Sequence, residues 1–347
     1  MNYTDLITQN AAVKQSWNRL NVNRERDWDL YGYDIGIHQL NMAIGGLIPT
    51  RVTVVGARSG SGKTAMTAPM FDATYRRKAD GSRLEYLFFT WELDPSIVID
   101  RGICSKVGLT LRHLNQGAKL LSEKTMAQIL DAYKVSSKYP VTYHTYSTDI
   151  EEIRTIGKEF VERCKAKSEV EGVHVQPVIC IDYLNMAQFE SSGLRTYGIG
   201  DFMNGLKQFC NHEKAAAVVF AQLSRETDKQ HKIPDRSDFS DSSAIENAAD
   251  NLIVLYRPEY HKIASVVNPE TGLEEDSRNK ILVRVLKGRD YGIGDFLIRC
   301  DIKHFRFWDY NHEWDTEYWS DYHKEDFWLK EFQLTDQVDD KQIEVPF

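Results

Sequence analysis

The residues whose types and spacing most clearly suggest chemistry lie between Arg51 and Thr64. An apolar run rich in β-branched residues leads into the pattern A-x4-G-K-T, which is that of a phosphate-binding P-loop with alanine in place of the first glycine. Small residues let backbone N–H groups surround phosphates, the lysine reaches the β- and γ-phosphates, and the threonine hydroxyl can bind Mg²⁺. The residues predicted to bind a nucleotide are Ala57, Arg58, Ser59, Gly60, Ser61, Gly62, Lys63, Thr64 and Ala65.

Two acidic residues follow apolar runs that have the composition of buried strands. Asp182 ends the run 177–182, which is a Walker B pattern, and we predict that it shares a Mg²⁺ ion with Thr64. Glu92 lies just after the run 84–90, at the strand end where ligands bind in parallel α/β sheets, so it is a candidate base for activating water. Glu92 can also be the acid that precedes a helix, and the two roles are compatible.

An amide and two cations follow other predicted strands. Gln222 comes directly after the run 215–221, where it either senses a γ-phosphate or simply ends the strand. Lys287 and Arg289 follow the run 280–286, and side chains two residues apart on a strand can point at one anion. In ring ATPases such a pair reaches the γ-phosphate of a neighbouring subunit, and the alternative here is ordinary surface charge.

A polar segment at 224–240 is rich in basic residues and has the length of a mobile loop. Basic residues near a nucleotide site suggest contacts to a nucleic-acid backbone, although a solvated surface loop would have the same composition. A second polar, glycine-containing loop is predicted at 188–200. The candidate DNA-binding residues of the two loops are Arg195, Arg225, Lys229, Lys232 and Arg236.

Strands that alternate with helices must position these residues, which indicates an α/β fold. The helix predicted at 148–167 opens with a capping box of Thr148 and Glu151, and Pro69 should bend the helix after the P-loop. The predicted strands are 51–55, 84–90, 141–146, 177–182, 215–221, 251–256, 280–286 and 296–300. The other predicted helices are 35–43, 94–106, 123–137 and 202–212.

The composition of the chain is that of a globular protein, with 347 residues of which 42% are hydrophobic. The five cysteines are scattered, which is typical of reduced thiols in a cytoplasmic protein. Neither a membrane-spanning run nor a signal peptide is expected from the sequence. The net charge of −8 arises at 301–347, where 13 acidic and 5 basic residues occur. The first 300 residues are therefore about neutral, and the charge does not exclude a nucleic-acid partner.

Both ends of the chain differ in composition from the centre. Residues 1–27 are predicted to be an arm with one helix, which either frays or docks on a neighbouring subunit. Residues 28–310 are predicted to be the ATPase domain. Residues 311–347 form an acidic, aromatic-rich tail that ends in Pro-Phe, and this end is either inert or binds a basic, apolar pocket of another protein.

In their order and wording, these motifs resemble the C-terminal motor domain of DnaB-type replicative helicases, which are RecA-like ring ATPases. The resemblance covers roughly residues 30–308 and rests on the following segments: GARSGSGKTA (56–65), FTWEL (89–93), VICIDYLNM (178–186), FAQLSRETD (220–228), DFSDSSAIENAADNLIVLYRPEY (238–260) and LKGRDYGIG (286–294). It implies a RecA-like P-loop NTPase fold with a mostly parallel central sheet flanked by helices.

The resemblance implies a hexameric, ATP- and Mg²⁺-dependent helicase that translocates on single-stranded DNA in the bacterial cytoplasm. Primase, a helicase loader or other replication proteins would be possible partners through the acidic tail. The implied catalytic roles are phosphate and Mg²⁺ binding by Lys63 and Thr64, polarisation of water by Glu92, metal binding by Asp182, coupling to DNA by Gln222, and action in trans by Lys287 and Arg289.

The sequence departs from the family pattern in two respects. The family's N-terminal domain is not expected before Tyr31, where the sequence offers few residues, and this would suggest a phage or mobile-element helicase. Ser240 stands where the family has a DNA-contacting arginine, which puts that contact in doubt. The alternatives are a RecA- or RadA-like recombination ATPase, which would form open filaments, and a non-motor ATP-binding adaptor of replication proteins.

Overall fold

The computed structural model describes residues 8–24, 30–75, 81–116, 121–188, 195–224, 232–239 and 242–310. Its strands are β1 (Val52–Ala57), β2 (Arg83–Thr90), β3 (Val141–His144), β4 (Val175–Asp182), β5 (Ala216–Gln222), β6 (Asn251–Tyr256), β7 (Ser265–Val267), β8 (Glu274–Asp276), β9 (Lys280–Gly288), β10 (Gly294–Asp301) and β11 (Arg306–Asp309). Its α-helices are α1 (Gln9–Arg24), α2 (His38–Ile44), α3 (Thr67–Asp72), α4 (Pro95–Val107), α5 (Leu111–Gln116), α6 (Glu123–Ser136), α7 (Ile150–Glu171), α8 (Arg195–Glu213) and α9 (Ser242–Ala248).

One sheet of nine strands forms the centre of the fold, in the order β11-β10-β9-β6-β1-β5-β4-β2-β3. The strands from β6 to β3 in that order run parallel to one another, whereas β9, β10 and β11 are antiparallel to their neighbours. The predicted mostly parallel sheet is therefore confirmed. The short strands β7 and β8 pair with each other outside this sheet and, like α5 and β11, were not predicted.

Helices cover both faces of the sheet, which explains why the parallel strands are almost continuously apolar. On one face, Phe160 of α7 and Leu206 of α8 pack on residues such as Ile179 of β4. On the other face, Met70 of α3 packs on residues such as Cys180, the next residue of the same strand. Successive strand residues thus enter different cores, and all residues of β4 are buried.

The helix after the P-loop is shorter than expected, because a 3₁₀ turn at Thr64–Met66 precedes α3. Pro69 therefore lies in the first turn of α3, where a missing N–H removes no intrahelical hydrogen bond, and the predicted mid-helix bend is wrong. The five cysteines are free thiols, as predicted, and the structure shows in addition that all five are buried. Within the ranges described above, no helix combines the length and the apolar character that crossing a membrane requires.

Three predicted helix starts are wrong, and the first is that of α2, which begins at His38 rather than at residue 35. The N-cap of α7 is Asp149 rather than the predicted Thr148, and its side chain accepts a hydrogen bond from the backbone N–H of Glu152. Helix α8 begins at Arg195 and includes part of the predicted loop 188–200, since Ile199 already packs in the core. Residues 189–194 of that loop lie outside the described residues.

Candidate functional site

The predicted P-loop connects the end of β1 to the 3₁₀ turn before α3. Gly60 and Gly62 have φ angles of 82° and 93°, which side-chain-bearing residues rarely adopt. A Cβ atom at Gly62 would also lie 2.6 Å from Cζ of Phe307, so β11 packs directly against the loop. The Arg58 guanidinium donates a 2.7 Å hydrogen bond to the Leu223 carbonyl and thereby fixes the loop to the end of β5.

Four predicted site residues meet at the carboxyl end of the parallel strands. Thr64 Oγ1 donates a 2.8 Å hydrogen bond to Asp182 Oδ2. The Lys63 ammonium lies 3.5 Å from Asp182 Oδ1 and 3.9 Å from Glu92 Oε2. The same ammonium lies 3.7 Å from the centroid of the Tyr183 ring. Strands β2 and β4 bring the two acids together, because Thr90 pairs with Asp182 and Glu92 follows two residues later.

The two carboxylates differ in their surroundings. The Asp182 side chain is buried, with 1% of its surface exposed, whereas the Glu92 side chain is 48% exposed. Burial lowers the pKa of the Lys63 ammonium, and the nearby Asp182 and Glu92 carboxylates offset part of this effect. Glu92 and Lys63 therefore line the cleft beside the P-loop, whereas Asp182 is buried next to Lys63.

The P-loop borders a cleft with a volume of about 220 Å³. Gln222, the last residue of β5, lines this cleft as its position at the strand end predicts, and its backbone N–H contacts Asn185 Oδ1 at 3.3 Å. Ile302 and Phe305 form an apolar part of the wall. Ala57 ends β1 and pairs with Gln222, so the loop and the amide are neighbours.

Arg101, which was not predicted as a site residue, lines the same cleft from α4. Its buried Nε atom has no hydrogen-bond partner among the described residues. Its guanidinium carbon lies 5.2 Å from the centroid of the Phe305 ring. Burial lowers the pKa of Arg101, with Asp182 and Glu92 acting against that effect. The sequence signal that could have found it is a cation on the helix that directly follows the acid at the end of β2.

The Asp182 carboxylate and the Thr64 hydroxyl fit Mg²⁺, which prefers oxygen ligands. Asp182 Oδ1 is buried and has no hydrogen-bond partner among the described residues, although Lys63 is near. Such an oxygen atom can accept a hydrogen bond from a metal-bound water, or bind a cation directly, without losing an existing hydrogen bond. The donor set and its position beside the P-loop therefore suit a phosphate-bound Mg²⁺ ion.

Lys287 and Arg289 lie at the opposite edge of the sheet from the P-loop. Gly288 pairs with Asn251 at the start of β6, whereas the P-loop follows the end of β1. The two cations bind different groups, since Lys287 donates to the Glu246 carbonyl and Arg289 to the Asp250 carboxylate. Within this chain β9 ends at Gly288, before Arg289. The expected approach of both cations to one anion on another subunit stays a prediction.

The candidate DNA-binding residues are only partly described. Lys232 pairs with Asp235 and Asp238 at 3.4 and 3.2 Å. Arg236 donates to Glu246 Oε1 and to the Leu286 carbonyl, each at 2.6 Å. Arg195 begins α8 and its side chain is not described, whereas Arg225, Lys229 and Ser240 lie outside the described residues. The role of all these residues in DNA binding stays a prediction.

Comparison with known proteins gives a consistent result. Residues 32–309 match the sequence model of the protein family described as DnaB-like helicase C terminal domain. The replicative DNA helicase DnaB of Geobacillus stearothermophilus is 23% identical over 275 residues, and the replicative DNA helicase DnaC of Bacillus subtilis (strain 168) is 24% identical over 286 residues. The alignments cover 78% and 82% of this chain but 55% and 58% of these relatives, so the chain spans little more than half their length.

Two solved structures resemble the chain in fold. One, described as an ATPase domain, superimposes with a TM-score of 0.74, covering 88% of this chain and 100% of that domain. A DnaB-like replicative helicase, described with its interactions with primase, gives a TM-score of 0.70 and covers 88% of this chain and 68% of its own. Both are 17% identical in sequence, so the likeness shows the fold alone, and that fold is the RecA-like α/β arrangement predicted from the sequence.

Proposed function

The chain belongs to the DnaB-like helicase C terminal domain family, and from this premise we propose that it is an ATP-dependent motor that unwinds DNA. It would work as a hexamer that translocates on single-stranded DNA during replication. Its relatives are named replicative DNA helicases, which supports a role in that process. The observation that carries the proposal is the meeting of Lys63, Thr64, Asp182 and Glu92 at one end of the sheet, in a cleft bordered by the P-loop.

In this proposal each of the four residues has a distinct role. Lys63 and the P-loop N–H groups bind the β- and γ-phosphates of ATP. Thr64 and Asp182 would hold Mg²⁺, which when bound neutralises charge that develops on the phosphates. Glu92 orients the attacking water and accepts its proton, for which its 48% exposed side chain is suitably open to the cleft.

Arg101 and Gln222 complete the proposed site from two other elements. Arg101 supplies a cation from α4, and its Nε atom, which lacks a partner among the described residues, can donate to a phosphate oxygen. Gln222 lies between the cleft and the polar segment that begins at Ser224. A change in its contacts with the γ-phosphate would therefore reach that segment, which we propose contacts DNA.

The position of Lys287 and Arg289 supports action on another copy of the chain. They lie at the amino edge of the parallel strands, and β1 alone places about 15 Å between that edge and the P-loop. The two cations therefore face away from the cleft of their own chain. In a ring, the amino edge of one copy could approach the cleft of the next, where both cations would stabilise charge on the γ-phosphate.

An exposed apolar stripe on α1 supports assembly between copies. Val13, Trp17 and Leu20 follow a helical spacing and are 54%, 60% and 57% exposed. Burial of these side chains against an adjacent copy would stabilise a ring. Met126, Leu130 and Tyr133 on α6 are also exposed, and we propose them as a candidate surface for the α1 of an adjacent copy.

Binding of primase, a loader or other replication proteins by the acidic tail remains part of the proposal. The tail at 311–347 lies outside the described residues, so only its composition supports a docking role. One of the similar structures is described with its interactions with primase, which makes primase the first partner to test.

The proposed activity is tested with a forked DNA duplex that carries a single-stranded arm. Full-length protein with ATP and Mg²⁺ should displace the labelled strand, and the Lys63→Ala variant should not. The proposal would be contradicted if the strand were displaced without ATP hydrolysis or without Lys63. It would also be contradicted if a protein that assembles and hydrolyses ATP did not displace the strand.

A further inference from the structure

The carboxylate of Asp250 accepts four hydrogen bonds at the amino edge of the sheet, which is the edge where the parallel strands begin. Its Oδ1 accepts from Arg51 Nη1 at 3.1 Å and from Arg289 Nη1 at 2.8 Å. Its Oδ2 accepts from the backbone N–H of Val52 at 2.9 Å and from Lys207 Nζ at 2.5 Å. The side chain is 1% exposed, so this charge is buried and fully surrounded by donors.

Three of these donors fix the carboxylate to the scaffold. Val52 begins β1, and Arg51 directly precedes it. Lys207 belongs to α8 and also donates to the Thr50 carbonyl at 2.8 Å, which ties the helix to the start of the same strand. Burial by itself would raise the pKa of the Asp250 carboxyl, but the hydrogen bonds from Lys207, Val52 and Arg289 outweigh it and lower the pKa. Asp250 is therefore a charged and rigidly held acceptor.

Arg289 is the exposed member of this cluster. Its side chain is 59% exposed, compared with 23% for Arg51 and 18% for Lys207. Asp250 takes one Nη1 donor of the guanidinium, and an arginine has five N–H donors, so the others remain available to an anion. The backbone N–H of Arg289 also donates to the Asp250 carbonyl at 3.1 Å. Asp250 thus holds both the main chain and the side chain of Arg289.

We propose that Asp250 is a positioning residue that orients the Arg289 guanidinium for action on the nucleotide of an adjacent copy. This inference rests on the proposed function, in which Arg289 acts in trans. A free arginine side chain loses rotamer entropy when it binds a phosphate, and a carboxylate that already restricts the guanidinium removes part of that cost. Because Lys207 binds the same carboxylate, the position of α8 also affects the orientation of Arg289.

The test is a double-mutant cycle in the assembled full-length protein, with kcat and KM for ATP as readouts. Asp250→Asn keeps the backbone contact to Arg289 but removes the charged acceptor. A displacement of about 1 Å in a reacting group can lower turnover by about 10²-fold, so we expect kcat to fall roughly 10- to 100-fold with KM nearly unchanged. In an Arg289→Ala background the same substitution should change kcat less than about twofold, since residues that act as a unit are non-additive.

The matched control is Asp290→Asn. Asp290 is next to Arg289 in the chain, but its 44% exposed carboxylate pairs with Arg51 at 2.6 Å rather than with Arg289. Loss of this surface ion pair should leave kcat within about twofold of the wild-type value. An equal fold-loss from Asp250→Asn with and without Arg289 would show that Asp250 acts independently of the arginine, and would overturn the inference.

Two measurements separate this inference from its premises. If Arg289→Ala alone leaves kcat unchanged, the proposed action of Arg289 fails and the role of Asp250 falls with it. If Arg289→Ala lowers kcat but the cycle is additive, only the inference about Asp250 fails. Should Asp250→Asn not assemble, the cycle is repeated with Asp250→Glu, which keeps the charge but moves it by one methylene; wild-type kcat in that variant would also overturn the inference.

Discussion

The Thr64 hydroxyl and the Asp182 carboxylate share a 2.8 Å hydrogen bond although 118 residues separate them in the chain. Strand β5 lies between β1 and β4, so the loop after β1 must cross the end of β5 to reach Asp182. The hydrogen bond from Arg58 to the Leu223 carbonyl, just past β5, holds the loop in that path. The proposed phosphate and Mg²⁺ ligands are therefore prearranged by the sheet order.

The acid Glu92 should be required for hydrolysis but not for nucleotide binding. Glu92→Gln keeps the size of the side chain and removes the base, and loss of a general base typically lowers turnover by about 10²- to 10⁴-fold. We expect the affinity for a fluorescent ATP analogue to stay within about threefold of wild type, since in the proposed site the phosphates would bind mainly to Lys63 and the P-loop. Steady-state hydrolysis and equilibrium fluorescence titration measure the two quantities.

The control for this substitution is Glu151→Gln, an exposed acid on α7 whose side chain is 71% exposed. It should hydrolyse ATP at the wild-type rate. If Glu92→Gln did so as well, Glu92 would not be the base.

The cation Arg101 should matter because it lines the cleft and its buried Nε has no hydrogen-bond partner in the described part of the chain. Removing one preorganised donor to a developing negative charge costs about 10²-fold in turnover, which is the loss expected for Arg101→Ala. Arg112→Ala on α5, an exposed basic residue, serves as the control. Equal turnover by the two variants would remove Arg101 from the site.

The apolar stripe on α1 should stabilise the assembled state. Burying a large apolar side chain contributes about 1.5–3 kcal/mol, so Trp17→Ser combined with Leu20→Ser should weaken association between copies by more than tenfold. Light scattering over a concentration series measures the mass of the assembly. Val170→Ser, at an 87% exposed position on α7, removes apolar surface elsewhere and should not change the mass. An unchanged assembly in the double variant would show that α1 does not form the interface.

Nucleotide binding should take up protons at alkaline pH. Burial lowers the pKa of Lys63 below its usual 10.5, with Asp182 and Glu92 offsetting part of the effect, whereas bound phosphates favour the charged ammonium. At alkaline pH near this lowered pKa, Lys63 of the free protein is then partly neutral, and the bound phosphates would keep the ammonium charged in the complex. Calorimetry in two buffers of different ionisation enthalpy should detect this proton, and Lys63→Arg should bind without it. Equal heats in both buffers for the wild type would contradict the expectation.

The parts of the site that follow local patterns could be predicted from the sequence. The order of strand, loop and Lys-Thr around Lys63 is enough to predict a P-loop. The continuous apolar runs before Asp182 and Glu92 predict that both acids lie at strand ends. Parallel pairing then brings such strand ends to one edge of the sheet, which is why Thr90 and Asp182 are paired.

The features that depend on long-range packing could not be predicted in this way. Arg101 belongs to the site because α4 turns that side chain toward Phe305, a contact between residues far apart in the sequence. Lys287 and Arg289 contact different groups because β9 ends between them, at Gly288, and because Arg289 binds Asp250. Asp250 directly precedes the neighbouring strand β6. The start of α8 was missed because glycines at 198 and 200 obscured the apolar stripe that begins at Ile199.

The most direct test of the motor hypothesis is the rate of ATP hydrolysis with and without single-stranded DNA, with Lys63→Ala as the blank. A protein that translocates must couple its DNA contacts to the site around Lys63, Thr64 and Glu92, so we expect single-stranded DNA to increase the rate severalfold and the blank to show no hydrolysis in either case. A wild-type rate that is the same with and without DNA would contradict the motor hypothesis and favour an ATP-binding adaptor.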